Sequence, residues 1–214
     1  MVTQLESSRF VAVENGAIGV LWKIMKSQTD EKVLVMMGRI VKELCSNASD
    51  PIVHKKLMSD NIMRVLLKLS KIEVPQLKLD ISCCIYDMTK GEGDDTLKVL
   101  KWDGMDVLFW LTLHDCLNLN DAIRENVGLA LRNMTASSPA ECILVANEDR
   151  VIPVMKALIL SSSEDSLKHV AGTIFNLMTV ETSKISMLKK GVITLLFDLA
   201  ASGKYELYYF VRYR

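Results

Sequence analysis

Five times along the chain an apolar run opens directly after a small or polar residue. The runs are Gly16-Ala17-Ile18-Gly19-Val20-Leu21, Asn61-Ile62-Met63-Arg64-Val65-Leu66, Gly104-Met105-Asp106-Val107-Leu108, Arg150-Val151-Ile152-Pro153-Val154-Met155 and Gly191-Val192-Ile193-Thr194-Leu195-Leu196. Their leading residues are 45, 43, 46 and 41 positions apart. A second anchor closes a longer apolar segment in each unit: Val41-Lys42-Glu43-Leu44-Cys45-Ser46, Ile85-Tyr86-Asp87-Met88-Thr89, Leu131-Arg132-Asn133-Met134-Thr135 and Phe175-Asn176-Leu177-Met178-Thr179. Its polar third position recurs at 43, 87, 133 and 176, at intervals of 44, 46 and 43. Two independent anchors on one period describe an array of repeats. A repeat of this size cannot bury its own apolar face, so neighbours must stack to make a core.

Each unit divides into three helical pieces. A short amphipathic segment such as Arg9-Phe10-Val11-Ala12-Val13-Glu14 leads to Gly16, which can take positive φ and close the helix. A second helix follows over about residues 17–27. An acidic or polar start, Asp30-Glu31, Asn120-Asp121 or Ser163-Glu164-Asp165, then caps and favourably charges the N-terminus of a third, longer helix. That helix carries apolar residues at helical spacing, as in Ile123, Val127, Ala130, Leu131 and Met134.

Composition agrees with an all-α chain: half of the 214 residues are hydrophobic and only four are proline. Twenty-six basic and 26 acidic residues cancel, leaving no global field to gather nucleic acid or an anionic membrane. The N-terminus has no basic region followed by an apolar stretch, and no apolar run approaches membrane-spanning length. Five cysteines, Cys45, Cys83, Cys84, Cys116 and Cys142, show no CxxC spacing and fall mostly in apolar patterns, as buried reduced thiols of a cytoplasmic protein do. In that compartment the acceptor patterns at Asn47 and Asn133 go unglycosylated.

The stretch Glu14-Asn15-Gly16-Ala17-Ile18 and the third-helix ending Ala130-Leu131-Arg132-Asn133-Met134-Thr135 resemble the armadillo repeat family. The resemblance covers about residues 7–210 and is best in the third repeat. It implies a right-handed α-solenoid of about four complete three-helix repeats plus a partial fifth, all within a single domain spanning 1–214. The repeats would run over about 7–49, 50–93, 94–138 and 139–181, with the partial one at 182–214. The resemblance further implies a superhelix whose third helices line a concave groove. HEAT repeats have two helices per unit, and the extra short helix here favours armadillo.

In groove-binding members of that family the third helix presents an asparagine whose amide both donates to and accepts from a ligand backbone. The matching positions here are Glu43, Asp87, Asn133 and Asn176, so two of the four are acceptor-only carboxylates. The family's nuclear-import adaptors also carry a tryptophan one turn earlier. Arg39, Cys83, Leu129 and Gly172 stand there instead, which argues against binding of nuclear signals. Trp22, Trp102 and Trp110 fall in first or second helices, where core packing is the expected role. With Glu43, Asp87 and Glu125 toward one end and Lys168 and His169 toward the other, the groove is expected to carry a charge gradient suited to a partner with basic residues.

No catalytic chemistry emerges. His54, His114 and His169 lie in different units with no second ligand at metal spacing, and no phosphate loop, dinucleotide fingerprint, zinc helix or nucleophile elbow occurs. Gly91-Glu92-Gly93-Asp94-Asp95 lacks the alternating ligands of a calcium loop and reads as an inter-repeat turn. The expectation is therefore a non-catalytic scaffold or adaptor, without cofactor or metal, that binds a partner protein segment through Arg39, Glu43, Asp87, Glu125, Leu129, Asn133, Lys168 and Asn176. An architectural segment of a cytoskeletal or ciliary assembly and a regulatory module of a longer protein are the alternatives. The next ladder position would lie past Arg214. Either the chain is a fragment of a longer repeat protein, or Tyr205, Tyr208, Tyr209, Phe210 and Tyr213 form an atypical cap; self-association or a missing continuation is the expectation at this end.

Overall fold

The computed structural model describes residues 2–27, 30–46, 48, 50–91, 95–113, 120–161 and 163–202, with side chains from Ser8 onward. The Tyr-rich end, His114, Cys116 and residues 92–94 lie outside these. Among the described residues every regular element is an α-helix, and the helices come in threes. They are α1 (Val2–Glu14), α2 (Ala17–Ser27) and α3 (Glu31–Cys45); α4 (Pro51–Ser59), α5 (Ile62–Ser70) and α6 (Pro75–Met88); α7 (Asp95–Lys101), α8 (Gly104–Leu113) and α9 (Asp121–Ala136); α10 (Pro139–Asn147), α11 (Val151–Ile159) and α12 (Glu164–Thr179); and finally α13 (Glu181–Lys189) and α14 (Val192–Ala201).

Local chemistry sets the boundaries. The turn between first and second helices is left-handed at Gly16 (φ 77°), Asn61 (φ 63°), Asp103 (φ 68°) and Gly191 (φ 86°), a conformation open to glycine and tolerated by Asn and Asp. In the third unit Asp103 takes the left-handed turn and Gly104 begins α8. A Cβ on Gly104 would stand 2.7 Å from the Val99 carbonyl oxygen, so glycine is kept there for space. The fourth unit turns without a left-handed residue, Arg150 having φ −82°. Three of the third helices start at side-chain caps, Asp30 accepting from the Lys32 N–H, Asn120 from Ala122 and Ser163 from Ser166, whereas α6 starts at Val74 without one. Proline occupies the first turn of α4, α6 and α10, where its missing N–H costs nothing.

Helices of like position stack in three rows, and the third-helix row α3–α6–α9–α12 is the most closely packed. One register runs through it. Met37, Ile81, Val127 and Val170 sit at equivalent places and all are buried. The molecule is an all-α solenoid with a core that lengthens by one layer per repeat. Of the tryptophans, Trp22 packs against the core as expected, though only half-buried. Trp102 is exposed on the turn after α7, and Trp22 and Trp110 are half-buried beneath the ammonium groups of Lys26 (5.6 Å) and Lys71 (5.2 Å). An ammonium over an indole face is attracted by the ring's π-electron density.

Candidate functional site along the third helices

Asn133 on α9 donates from Nδ2 to Thr89 Oγ1 on α6 at 3.3 Å, and Asn176 on α12 donates to Thr135 Oγ1 on α9 at 3.2 Å. Each threonine hydroxyl gives its own proton back into its helix, Thr89 to the Tyr86 carbonyl (2.8 Å) and Thr135 to the Arg132 carbonyl (3.0 Å). A hydroxyl so committed presents only lone pairs to the amide above it, which fixes the amide's orientation. One N–H and the Oδ1 of each asparagine are left without a partner among the described residues.

The carboxylate positions are built otherwise. Glu43 pairs with Arg9 of α1, and Asp87 pairs with Lys90 at 2.6 Å. The Lys90 ammonium also lies 4.0 Å from the centre of the Tyr86 ring. Further along, Glu125 accepts from the Ser163 hydroxyl, while Lys168 is bound by Glu164 (2.7 Å) and Asp165 (3.6 Å). Burial, with Arg132 adding to it, lowers the pKa of His169 and favours its neutral form. Glu43, Asp87 and Lys168 thus each have an oppositely charged neighbour, whereas Glu125 meets a neutral hydroxyl. Arg39 is exposed and pairs with no acid among the described residues.

At the four positions where the import adaptors carry tryptophan, no aromatic slot forms. Arg39 points into solvent, Cys83 takes a weak contact from Asn126 Nδ2 at 3.4 Å, and Leu129 is half-buried. At Gly172 the Arg132 side chain fills the gap, its Nε 3.1 Å from where a Cβ would be.

Between α6 and α9 the row opens into a cavity of about 270 Å³ lined by Tyr86, Thr89, Lys90, Gly91, Leu129, Asn133, Ala136 and Ser137. It brings together two residues picked from the sequence, Leu129 and Asn133, with Lys90, the partner of a third. Tyr86, Thr89 and Ser137 were not anticipated, although the threonine two places after the ladder position was already visible in both Asp87-Met88-Thr89 and Asn133-Met134-Thr135. A larger cavity, about 780 Å³, opens between the ends of α8, α11 and α14 and contains none of the expected residues.

The remaining reactive side chains are structural. His54 is fully buried, with Nε2 3.1 Å from the Met88 carbonyl and Nδ1 3.3 Å from Asp95 Oδ1, and burial holds its pKa below the usual histidine value despite the aspartate. It joins α4, the end of α6 and α7. Burial likewise raises the thiol pKa values of Cys83, Cys84 and Cys142, which keeps them protonated and weakly nucleophilic at neutral pH. Among the described residues no three metal-ligating side chains converge, and no helix is long and apolar enough to cross a membrane.

The sequence matches no protein-family model and no curated protein. Solved structures do match. A designed armadillo repeat protein in complex with the peptide (KR)4 is 16% identical with TM-score 0.67, over 94% of this chain and 81% of that one. Two engineered proteins are 16% and 15% identical with TM-scores 0.66 and 0.63; the match covers 94% and 89% of this chain, and 78% and 76% of theirs. At such identities the likeness is one of architecture, and together with the stacked helix triplets it shows that this chain has an armadillo-like repeat fold.

Proposed function

We propose that the chain is a non-catalytic scaffold of the cytoplasm, one repeat domain over 1–214, that holds an extended segment of a partner protein along the third-helix row. The observation that carries this reading is the pair of pre-oriented amides. Asn133 and Asn176 sit at equivalent places on neighbouring helices, each fixed by a threonine of the repeat before, each with a donor and an acceptor to spare. An extended peptide presents one N–H and one C=O per residue and needs partners of this kind. The cavity beside Asn133 would accept one of its side chains. The designed armadillo protein complexed with (KR)4 supports the view that such an architecture takes a peptide ligand. In this chain Glu43 and Asp87 already hold Arg9 and Lys90, so a basic segment would have to displace those cations. Recognition would rest on backbone and shape before charge.

The test is a displayed library of linear peptides panned against wild-type protein and against the Asn133→Ala/Asn176→Ala double variant. Wild type should retain a set of peptides, and the double variant should bind them about tenfold or more weakly, at roughly 1 kcal/mol per lost hydrogen bond, with unchanged helical circular dichroism. Retention that ignores both amides would remove the basis of the proposal.

A further inference from the structure

The charges that stand near the two ladder amides are mostly engaged. Asp87 and Lys90 hold each other, Lys168 is held by Glu164 and Asp165, and Glu125 takes the Ser163 hydroxyl. Arg132 differs. It directly precedes Asn133 on α9, is exposed, and pairs with no acid among the described residues. Gly172 on α12 decides where its side chain goes. A Cβ at 172 would stand 3.1 Å from Arg132 Nε, 3.3 Å from Cδ and 3.6 Å from Cζ. The arginine therefore reaches from the helix that carries Asn133 to the helix that carries Asn176, and its head lies over bare backbone one helical turn before that second amide.

A guanidinium offers N–H donors in one plane and no acceptor, so its complement is a carboxylate held by two parallel N–H···O bonds. A lysine or arginine of a bound segment would meet a like charge at this place. The ladder acids that could have received it, Glu43 and Asp87, already hold Arg9 and Lys90. Glu125 stands two helical turns from Arg132, roughly 10 Å along α9 at 1.5 Å per residue.

We infer that the segment held along the third-helix row is acidic where it crosses Arg132: an aspartate or glutamate of the partner pairs with that guanidinium while Asn133 and Asn176 hold the backbone on either side. The inference rests on the proposed peptide-holding role of the two amides and adds to it the charge of the ligand. That charge is opposite in sign to the (KR)4 peptide bound by the designed armadillo protein. A carboxylate at this place would choose among segments that the amides alone treat alike, since every peptide offers the same backbone groups.

One displayed library of random linear peptides, panned in parallel on the 214-residue wild type, Arg132→Gln, Arg132→Lys and the Asn133→Ala/Asn176→Ala variant, tests this. Peptides retained by wild type should be enriched in Asp and Glu over Lys and Arg at one position of the aligned set. Arg132→Gln should still retain peptides but without that preference. It should bind the best acidic peptide about fivefold more weakly, the upper range for an exposed ion pair, and bind the peptide's Gln analogue as wild type does. Arg132→Lys should keep part of the preference. The amide variant should lose acidic and neutral peptides alike, which separates failure of the amides from failure of the acidic choice. A wild type that selects basic peptides, or acidic ones that Arg132→Gln binds equally tightly, would overturn the inference and leave the role of the amides standing. A wild type that retains no peptide would overturn both.

Discussion

The two halves of the third-helix row do the same packing with different chemistry. Between α3 and α6 the helices are joined by charge: Lys42 Nζ lies 3.0 Å from Asp80 Oδ1, a buried carboxylate whose hydrogen bond raises the lysine pKa. From α6 through α9 to α12 the ladder asparagines make neutral cross-links, amide to hydroxyl, at Asn133–Thr89 and Asn176–Thr135, beside the Ser163–Glu125 contact at the start of α12. The ladder position follows this division. Where the preceding repeat offers a threonine, the ladder residue is asparagine; where it offers Cys45, the residue is Asp87 and turns to Lys90. A thiol is a poor acceptor, so an amide at 87 would have had no hydroxyl to orient it. Threonine-oriented ladder amides accordingly lie in the third and fourth repeats.

The comparison breaks most visibly if its charged half proves dispensable. Lys42→Met leaves Asp80 buried with only the Gln76 amide (3.2 Å), and should cost about 3 kcal/mol in denaturant unfolding. Arg132→Met in the other half, where no buried carboxylate depends on the cation, should cost far less. Equal losses would erase the distinction. A smaller loss, about 1 kcal/mol, is expected for Thr135→Val, which removes the hydroxyl that holds Asn176. The reverse engineering sharpens the point: Cys45→Thr with Asp87→Asn installs the missing rung, and should strengthen retention of displayed peptides several-fold without a change in helicity.

Acid should act through His54. Its folded pKa is lowered by burial, so the unfolded chain takes up the proton first as pH falls below about 6.5, the ordinary histidine value. Stability is then full above that pH and declines below it. Thermal midpoints recorded from neutral pH down to pH 5 should fall, and fall less steeply in His54→Gln. The smallest effect belongs to Glu43→Gln, whose exposed pair with Arg9 is worth no more than about 0.5 kcal/mol. A loss several times larger would mean that the pair does more than a surface contact can.

Much of the fold could be read in advance because repetition is a one-dimensional property. The left-handed turns at Gly16, Asn61 and Gly191 and the caps at Asp30, Asn120 and Ser163 all announce themselves through residue type. Asp103 is harder to read, since Gly104 beside it suits a left-handed turn by residue type yet is kept for the space that the Val99 carbonyl needs. The candidate site was half legible. Ladder positions follow from the period, yet their contacts do not: Asn133 and Asn176 reach 44 and 41 residues back to the preceding repeat, whereas Glu43 and Asp87 pair within their own. The ion pairs of Glu43, Asp87 and Lys168 were hidden likewise, because formal charges along a helix say nothing of the partners beside them. Aromatic bulk suggested a core role that Trp22 fills in part, while Trp102 stands exposed after α7.

The claim that Asn133 and Asn176 hold a partner's backbone is tested most directly by following their side-chain amide resonances while the best displayed peptide is titrated into isotope-labelled protein. Both NH2 groups should shift with one common affinity, and Glu43→Gln should leave that affinity unchanged. Peptide binding that shifts resonances elsewhere and leaves these two amides still would contradict the account.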